Sequence, residues 1–199
     1  MKKELTKKQK ETLAKKERIY DIAIQLFKKY GYDNTSIRDI CKEANVTTGT
    51  LYNLYESKVS ILFQFKEKLE ENANDPLDVK HINIDDPADT LTKYTISILT
   101  LFQNIGADMA HNLHINHSLI WNNESEDIPL LEQFVKQCQD HGTMTKILDA
   151  KKTAEAINII IYGLIYQWCD NNGDYDLIQK SQELLPLFYK SFIIDDRNQ

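Results

Sequence analysis

Residues 35–58 read Thr-Ser-Ile-Arg-Asp-Ile-Cys-Lys-Glu-Ala-Asn-Val-Thr-Thr-Gly-Thr-Leu-Tyr-Asn-Leu-Tyr-Glu-Ser-Lys. No other stretch of the chain constrains its fold as tightly. Ser36, with Asp39 three residues on, forms a capping-box pattern that opens a helix. Ile37, Ile40, Cys41 and Ala44 give that helix one apolar face. Asn45 breaks it, Val46 plugs the turn, and Thr47 is a second N-cap. A short helix over residues 48–55 follows, with Leu51 and Tyr55 pointing inward. Ser57 then caps a further helix starting at Lys58. Two short helices meet at a tight turn, and the second shows small hydroxyls, an aromatic ring and an amide on its outer side. That is the layout of a unit that lays a helix into the DNA major groove.

A net charge of −6 speaks against nucleic acid until its distribution is considered. Residues 1–70 carry 15 Lys/Arg against 10 Asp/Glu, whereas residues 71–199 carry 9 against 20. A basic N-terminal part joined to an acidic remainder suits a chain of which one part meets phosphate and the other does not.

The 3.6-residue apolar period recurs along the whole chain, and only six glycines and four prolines interrupt it. The pattern predicts an all-α fold of about nine helices. Besides the helices at 37–44 and 48–55, they fall near residues 16–30, 58–73, 87–105, 107–122, 128–139, 149–170 and 175–194. Gly31 suits a left-handed cap after the first helix. Asn74-Asp75-Pro76 stops the helix that begins at Lys58, and residues 75–87 and 122–127 read as loops. The runs Ile159-Ile160-Ile161 and Ile193-Ile194 are short and sit inside helical periods, so both read as helix rather than strand. Residues 1–18 hold eight Lys/Arg and three Glu; residues 1–10 read as a solvated tail, and the segment could lie along a phosphate backbone. The organisation expected is a basic N-terminal extension (1–15), a helix-turn-helix DNA-binding domain (16–62, its last helix continuing to about 73 as a connector) and a helical ligand-binding and dimerisation domain (75–199).

On the outer side of the 48–55 helix, Thr48, Thr50 and Asn53 are the candidates for base reading, since an Asn amide pairs in bidentate fashion with adenine and a Thr methyl packs on thymine. Gly49 lets the backbone approach. Tyr52, Arg38, Thr47 and Lys58 are candidates for phosphate contacts, Lys58 aided by the helix N-terminus it occupies.

With these residues in place, the chain resembles the TetR family of bacterial transcriptional regulators. Ile40, Ala44, Val46, Thr47, Gly49, Thr50, Leu51, Tyr52, Tyr55, Ser57 and Lys58 stand in the register of that family's signature. Asn45 stands where relatives commonly have Gly, and Leu54 where some have His, so no contact is assigned to position 54. The resemblance implies a homodimeric repressor that binds double-stranded operator DNA through two helices about one turn, ~34–36 Å, apart. It also implies release by an unidentified small-molecule ligand held in the C-terminal domain. It puts the candidate ligand-binding residues at Tyr94, Phe102, His114, Trp121, Tyr162 and Tyr166, on helices that line the pocket in relatives. The helix through Gly163 and Trp168 resembles the family's dimerisation helix. A helix apolar nearly all round must be buried all round, so Ile160, Gly163, Leu164 and Gln167, with Leu184, Leu187 and Phe188 from the next helix, form the candidate dimer interface.

His111, His114 and His117 recur every third residue, but no Glu or Cys completes a ligand set, and positions six apart on a helix diverge. No metal site or cofactor is therefore assigned, although a metal or haem sensor stays an alternative, as does a C-terminal domain that binds a protein or peptide. No nucleophile–base pairing and no Gly-rich phosphate loop supports an enzyme. Cys41, Cys138 and Cys169 are widely spaced and unpaired in pattern, as in a reducing cytosol. The N-terminus has no apolar core of a secretory signal, and no run approaches the ~18 apolar residues of a membrane span. The expected location is cytoplasmic.

Overall fold

A computed structural model describes residues 6–70, 82–115 and 127–194. The chain divides into two compact units, residues 1–68 and 69–199. The helices of the first are α1 (Lys7–Tyr30), α2 (Ile37–Glu43), α3 (Thr48–Tyr52) and α4 (Lys58–Glu70). The second contains α5 (Pro87–Ile105), α6 (Ala107–Ile115), α7 (Asp127–His141), α8 (Ala150–Asp170) and α9 (Leu177–Lys190). The fold is all-α. Among the described residues the only β pairing is one isolated bridge, and no helix is long and apolar enough to cross a membrane.

In the first unit, Ile19, Ala23 and Phe27 of α1 meet Ile40 of α2, Leu51 of α3 and Ile61 and Leu62 of α4 in a core closed to solvent. The chain departs from expectation at both ends of this core. Helix α1 starts nine residues earlier than the apolar period suggests, because Thr6 and Gln9 form a complete capping box. Residues 6–15 are all exposed, so their helix rests on its cap and its continuity with the packed half. Gly31 does end α1 at positive φ, but with φ 88° and ψ 153° it lies outside the left-handed helical region, in territory open essentially to glycine alone. Asn45, with φ 49°, takes the left-handed turn between α2 and α3. Helix α3 ends at Tyr52 rather than at 55; Asn53 is its C-cap, and Leu54 and Tyr55 sit in the turn that follows.

In the second unit, α5 packs along α9, α7 along α8, and α6 against α8. Pro87 occupies the first turn of α5 behind the N-cap Asp86. The buried Tyr189 hydroxyl of α9 and the Thr95 hydroxyl of α5 form a close hydrogen bond across that pair. The buried Gln139 amide of α7 donates to the carbonyls of Thr145 and Leu148, both at 2.8 Å, which holds the loop into α8. At the far end of α8 the Trp168 indole donates to the Tyr175 carbonyl at 3.0 Å. Gly173, at φ 72°, passes so close that a Cβ would stand 3.1 Å from Ala107 and 3.3 Å from the indole.

The helix expected to reach residue 194 ends at Lys190. Ile193 pairs instead with Met144 in the isolated bridge: Thr145 N–H donates to the Phe192 carbonyl at 2.8 Å and Ile194 N–H to the Thr143 carbonyl at 3.0 Å. Backbone partners in the α7–α8 loop draw these residues out of the helix. The stop at 74–76, the loop at 122–126 and the helix beyond Ile115 lie outside the described residues.

Candidate nucleic-acid interface

Helix α3 has five residues, too few to be stable alone. Its N-terminus is held by Thr47, whose hydroxyl oxygen accepts the Thr50 N–H at 3.1 Å and lies 2.9 Å from the Thr50 hydroxyl. Its inner face is anchored by the fully buried Leu51. The outer side shows Thr48, Gly49, Tyr52 and Asn53, all exposed, with Tyr52 at 55%. Arg38 is exposed on α2. Thr50 is half-buried, and its hydroxyl engages the cap. It is thus less available to a base edge than sequence spacing suggests, because the fourth position of a capped turn faces back to its own N-cap.

Gly49 is not demanded by the fold. Its φ is not positive, and a Cβ there would meet only the Thr47 hydroxyl, at 3.9 Å. A helical glycine without a steric reason leaves the backbone open outward.

Lys58 has a different setting from the one expected. Its ammonium donates to the carbonyls of Tyr32 at 2.7 Å and Thr35 at 3.1 Å, and sits 3.9 Å from the centre of the Tyr32 ring. The side chain bends back onto the α1–α2 turn, because that turn offers carbonyls that no helix satisfies. Thr35 completes the joint; its hydroxyl donates to the Gly31 carbonyl at 2.8 Å. Lys58 thus stitches the start of α4 to the end of α1.

A second joint was not visible in the periodicity. Tyr55 is buried, and its hydroxyl donates to Gln64 Oε1 at 2.7 Å, with the Lys16 carbonyl at 3.2 Å. Gln64 Nε2 donates to Glu17 Oε1 at 3.1 Å, and Glu17 Oε2 pairs with the Lys68 ammonium. Lys68 also lies 4.0 Å from the centre of the Tyr20 ring. Burial, then the charges of Asp21 and Glu17, push the Tyr20 hydroxyl up to about 12, and burial pushes Tyr55 higher still. Both phenols stay protonated and can donate. With Lys58 beside Tyr32 and Lys68 beside Glu17, α1 and α4 run antiparallel, so residues 6–15 leave the unit at the end of α4 away from Lys58.

The other candidates lie in the second unit. Tyr94 and Phe102 are buried on α5, Tyr162 is half-buried, and Tyr166 is half-exposed on the outside of α8. The His114 side chain, Trp121 and His117 lie outside the described residues; His111 is half-buried, and no cluster of metal-binding side chains occurs among those described. Of the dimer candidates, Leu187 and Phe188 are exposed at 70% and 39%, Gly163 and Gln167 are exposed, and Ile160 and Leu184 are half-buried. Leu164 is buried in the unit's own core. The helix is not apolar to the same purpose all round: Ile159, Gly163 and Tyr166, at spacings of four and seven, share the outer face, and Leu164 falls on the opposite one. Ile159, 71% exposed, is the residue that spacing could have supplied.

Residues 19–65 match the sequence profile described as bacterial regulatory proteins, tetR family. That span runs from the packed half of α1 through α2 and α3 into α4. Over that span the chain carries the DNA-binding module of the TetR family. The chain is 24% identical over 201 residues to the probable acrEF/envCD operon repressor of Escherichia coli (strain K12), covering 94% of the chain and 90% of that relative. It is 24% identical over 182 residues to the fatty acid metabolism regulator protein of Bacillus subtilis (strain 168), covering 85% and 91%. Among solved structures it superposes on the transcriptional regulator FadR from Bacillus subtilis, determined in complex with stearoyl-CoA, with a TM-score of 0.57 at 22% identity over 88% of this chain and 98% of that one. At that identity the likeness establishes a shared fold.

Proposed function

We propose that the protein is a DNA-binding transcriptional regulator, a repressor that sits on a palindromic operator as a homodimer and leaves it when a small molecule binds the second unit. The observation that carries this reading is the outward row Thr48, Gly49, Tyr52 and Asn53 on a helix capped by Thr47, within a unit that matches the family profile. Asn53 and Thr48 read base edges; Tyr52 and Arg38 meet phosphates, which position the helix without reading sequence. The exposed apolar stripe Ile159–Gly163–Tyr166 on α8, with Leu187 and Phe188 on α9, supports a self-complementary twofold interface. An effector that binds better to a dimer with wrongly spaced α3 helices releases DNA by population shift, and only to the extent of its differential affinity. The stearoyl-CoA bound by the Bacillus subtilis relative makes a long-chain acyl-CoA the first effector to test.

The test is binding to DNA flanking the protein's own gene, with random duplex as reference. The expected result is a complex of one dimer per site, preferred over random DNA, whose affinity falls steeply between 50 and 200 mM salt by roughly 10³-fold or more. Stearoyl-CoA is then added to the complex, and release is expected. Equal affinity for both DNAs would refute the regulator; a complex indifferent to the thioester would refute only this effector class.

A further inference from the structure

Helix α3 lacks the length to fix its own orientation, so something outside it must do so. At its N-terminus the Thr47 cap is local. At its C-terminus the chain turns through Asn53 and Leu54 into Tyr55, and Tyr55 alone of these three is buried. Its ring lies 5.1 Å below the Lys16 ammonium, and its hydroxyl reaches Gln64 in the middle of α4. Gln64 is a bridge: its carbonyl oxygen accepts the hydrogen bond of the Tyr55 hydroxyl while its amide nitrogen donates to Glu17 on α1. Glu17 in turn pairs with Lys68, one turn further along α4. The Tyr55 hydroxyl also lies 3.2 Å from the Lys16 carbonyl of α1, farther than Gln64 at 2.7 Å, and the series crosses from the α3–α4 turn to α4, to α1 and back to α4.

A hydrophobic residue at 55 would fill the same space without setting an angle. A hydroxyl adds a directional bond of fixed length. We propose that the series Tyr55–Gln64–Glu17–Lys68 is the positioning device of the recognition helix: it sets the angle of α3 against α1 and α4, and through that angle the discrimination between operator and other DNA. None of the four residues needs to touch a base. Non-specific affinity comes from phosphates, tolerates small tilts, and does not depend on the series. Base reading needs side chains held close to the productive geometry, and depends on it.

This rests on the DNA-binding reading above, and the experiment separates the two. An operator is selected from random duplexes with the wild-type protein; failure to select any would end the regulator reading, and this proposal with it. Tyr55→Phe, Gln64→Leu and Glu17→Gln are then titrated against that operator and against random duplex, with thermal melting of each. The expected result is operator binding weakened by about ten-fold, a loss of roughly 1.4 kcal/mol, with binding to random duplex and its salt slope unchanged. The double variant Tyr55→Phe/Gln64→Leu is expected to lose no more than the larger single loss, since both cut one series. Equal losses on both DNAs, losses that track melting temperature alone, or unchanged operator affinity in variants that fold would overturn the proposal. If Gln64→Leu fails to fold, Tyr55→Phe, which removes one oxygen, decides.

Discussion

At Gly49, helix formation and the DNA contact proposed above make opposite demands. Ala is the better helix former by about 0.5–1 kcal/mol, and a Cβ at 49 has room. Gly49→Ala is therefore expected to leave the melting temperature unchanged or raised, while weakening operator binding about ten-fold by keeping the helix backbone off the duplex. Melting and titration on the same sample check this; full affinity in the Ala variant would take Gly49 out of the interface. Lys58 teaches the reverse. A lysine at a helix N-terminus looks made for phosphate, yet here it joins α4 to the carbonyls of the preceding turn. Residue type and position were readable; the direction of a four-carbon stem was not, because it depends on which carbonyls the folded chain leaves open.

At the scale of elements, helices were legible wherever end signals and period agreed: α2 from its Ser36–Asp39 box and α5 from Pro87. They were misjudged where one signal stood alone. The early start of α1 is marked only by Thr6 and Gln9, without apolar period, and the end of α9 is decided by a partner loop some fifty residues earlier in the chain. Faces were harder than elements. Leu164 and Ile159 are both large aliphatics on α8, and only packing shows that the first is inside and the second outside. For the candidate ligand residues the period alone does not separate core from pocket, since aromatic residues suit both. The exposed stripe makes its own prediction. Ile159→Glu with Leu187→Glu puts two charges on the face read as the dimer interface. The variant is expected to keep its helical circular dichroism and sediment as a monomer, with operator affinity much reduced; a dimer of unchanged strength would assign that face elsewhere.

Considered whole, the molecule keeps several ionisable groups neutral in its interiors. Burial raises the Cys138 and Cys169 thiols from their ordinary value of 9.0 to about 11. It raises the Tyr189 phenol from 10.0 to about 12, in spite of the opposing hydrogen bond from Thr95, and Tyr20 likewise. The unfolded chain ionises these groups at their ordinary values. Between pH 9 and 11 it has lost protons that the folded state retains, so their contribution to stability, full below pH 9, falls as pH rises. The melting temperature is expected to decline progressively above pH 9 and less steeply in Cys138→Ala; a flat profile to pH 11 would show that these thiols are hydrated. The pairing of Ile193 with Met144 bears on the molecule's far end. A gene truncated after codon 190 would encode every described helix, yet the Thr145 amide and the Thr143 carbonyl would lose the main-chain groups they now bond. Shortening the protein by its last nine residues would loosen a loop that lies far from the cut along the chain and beside it in space.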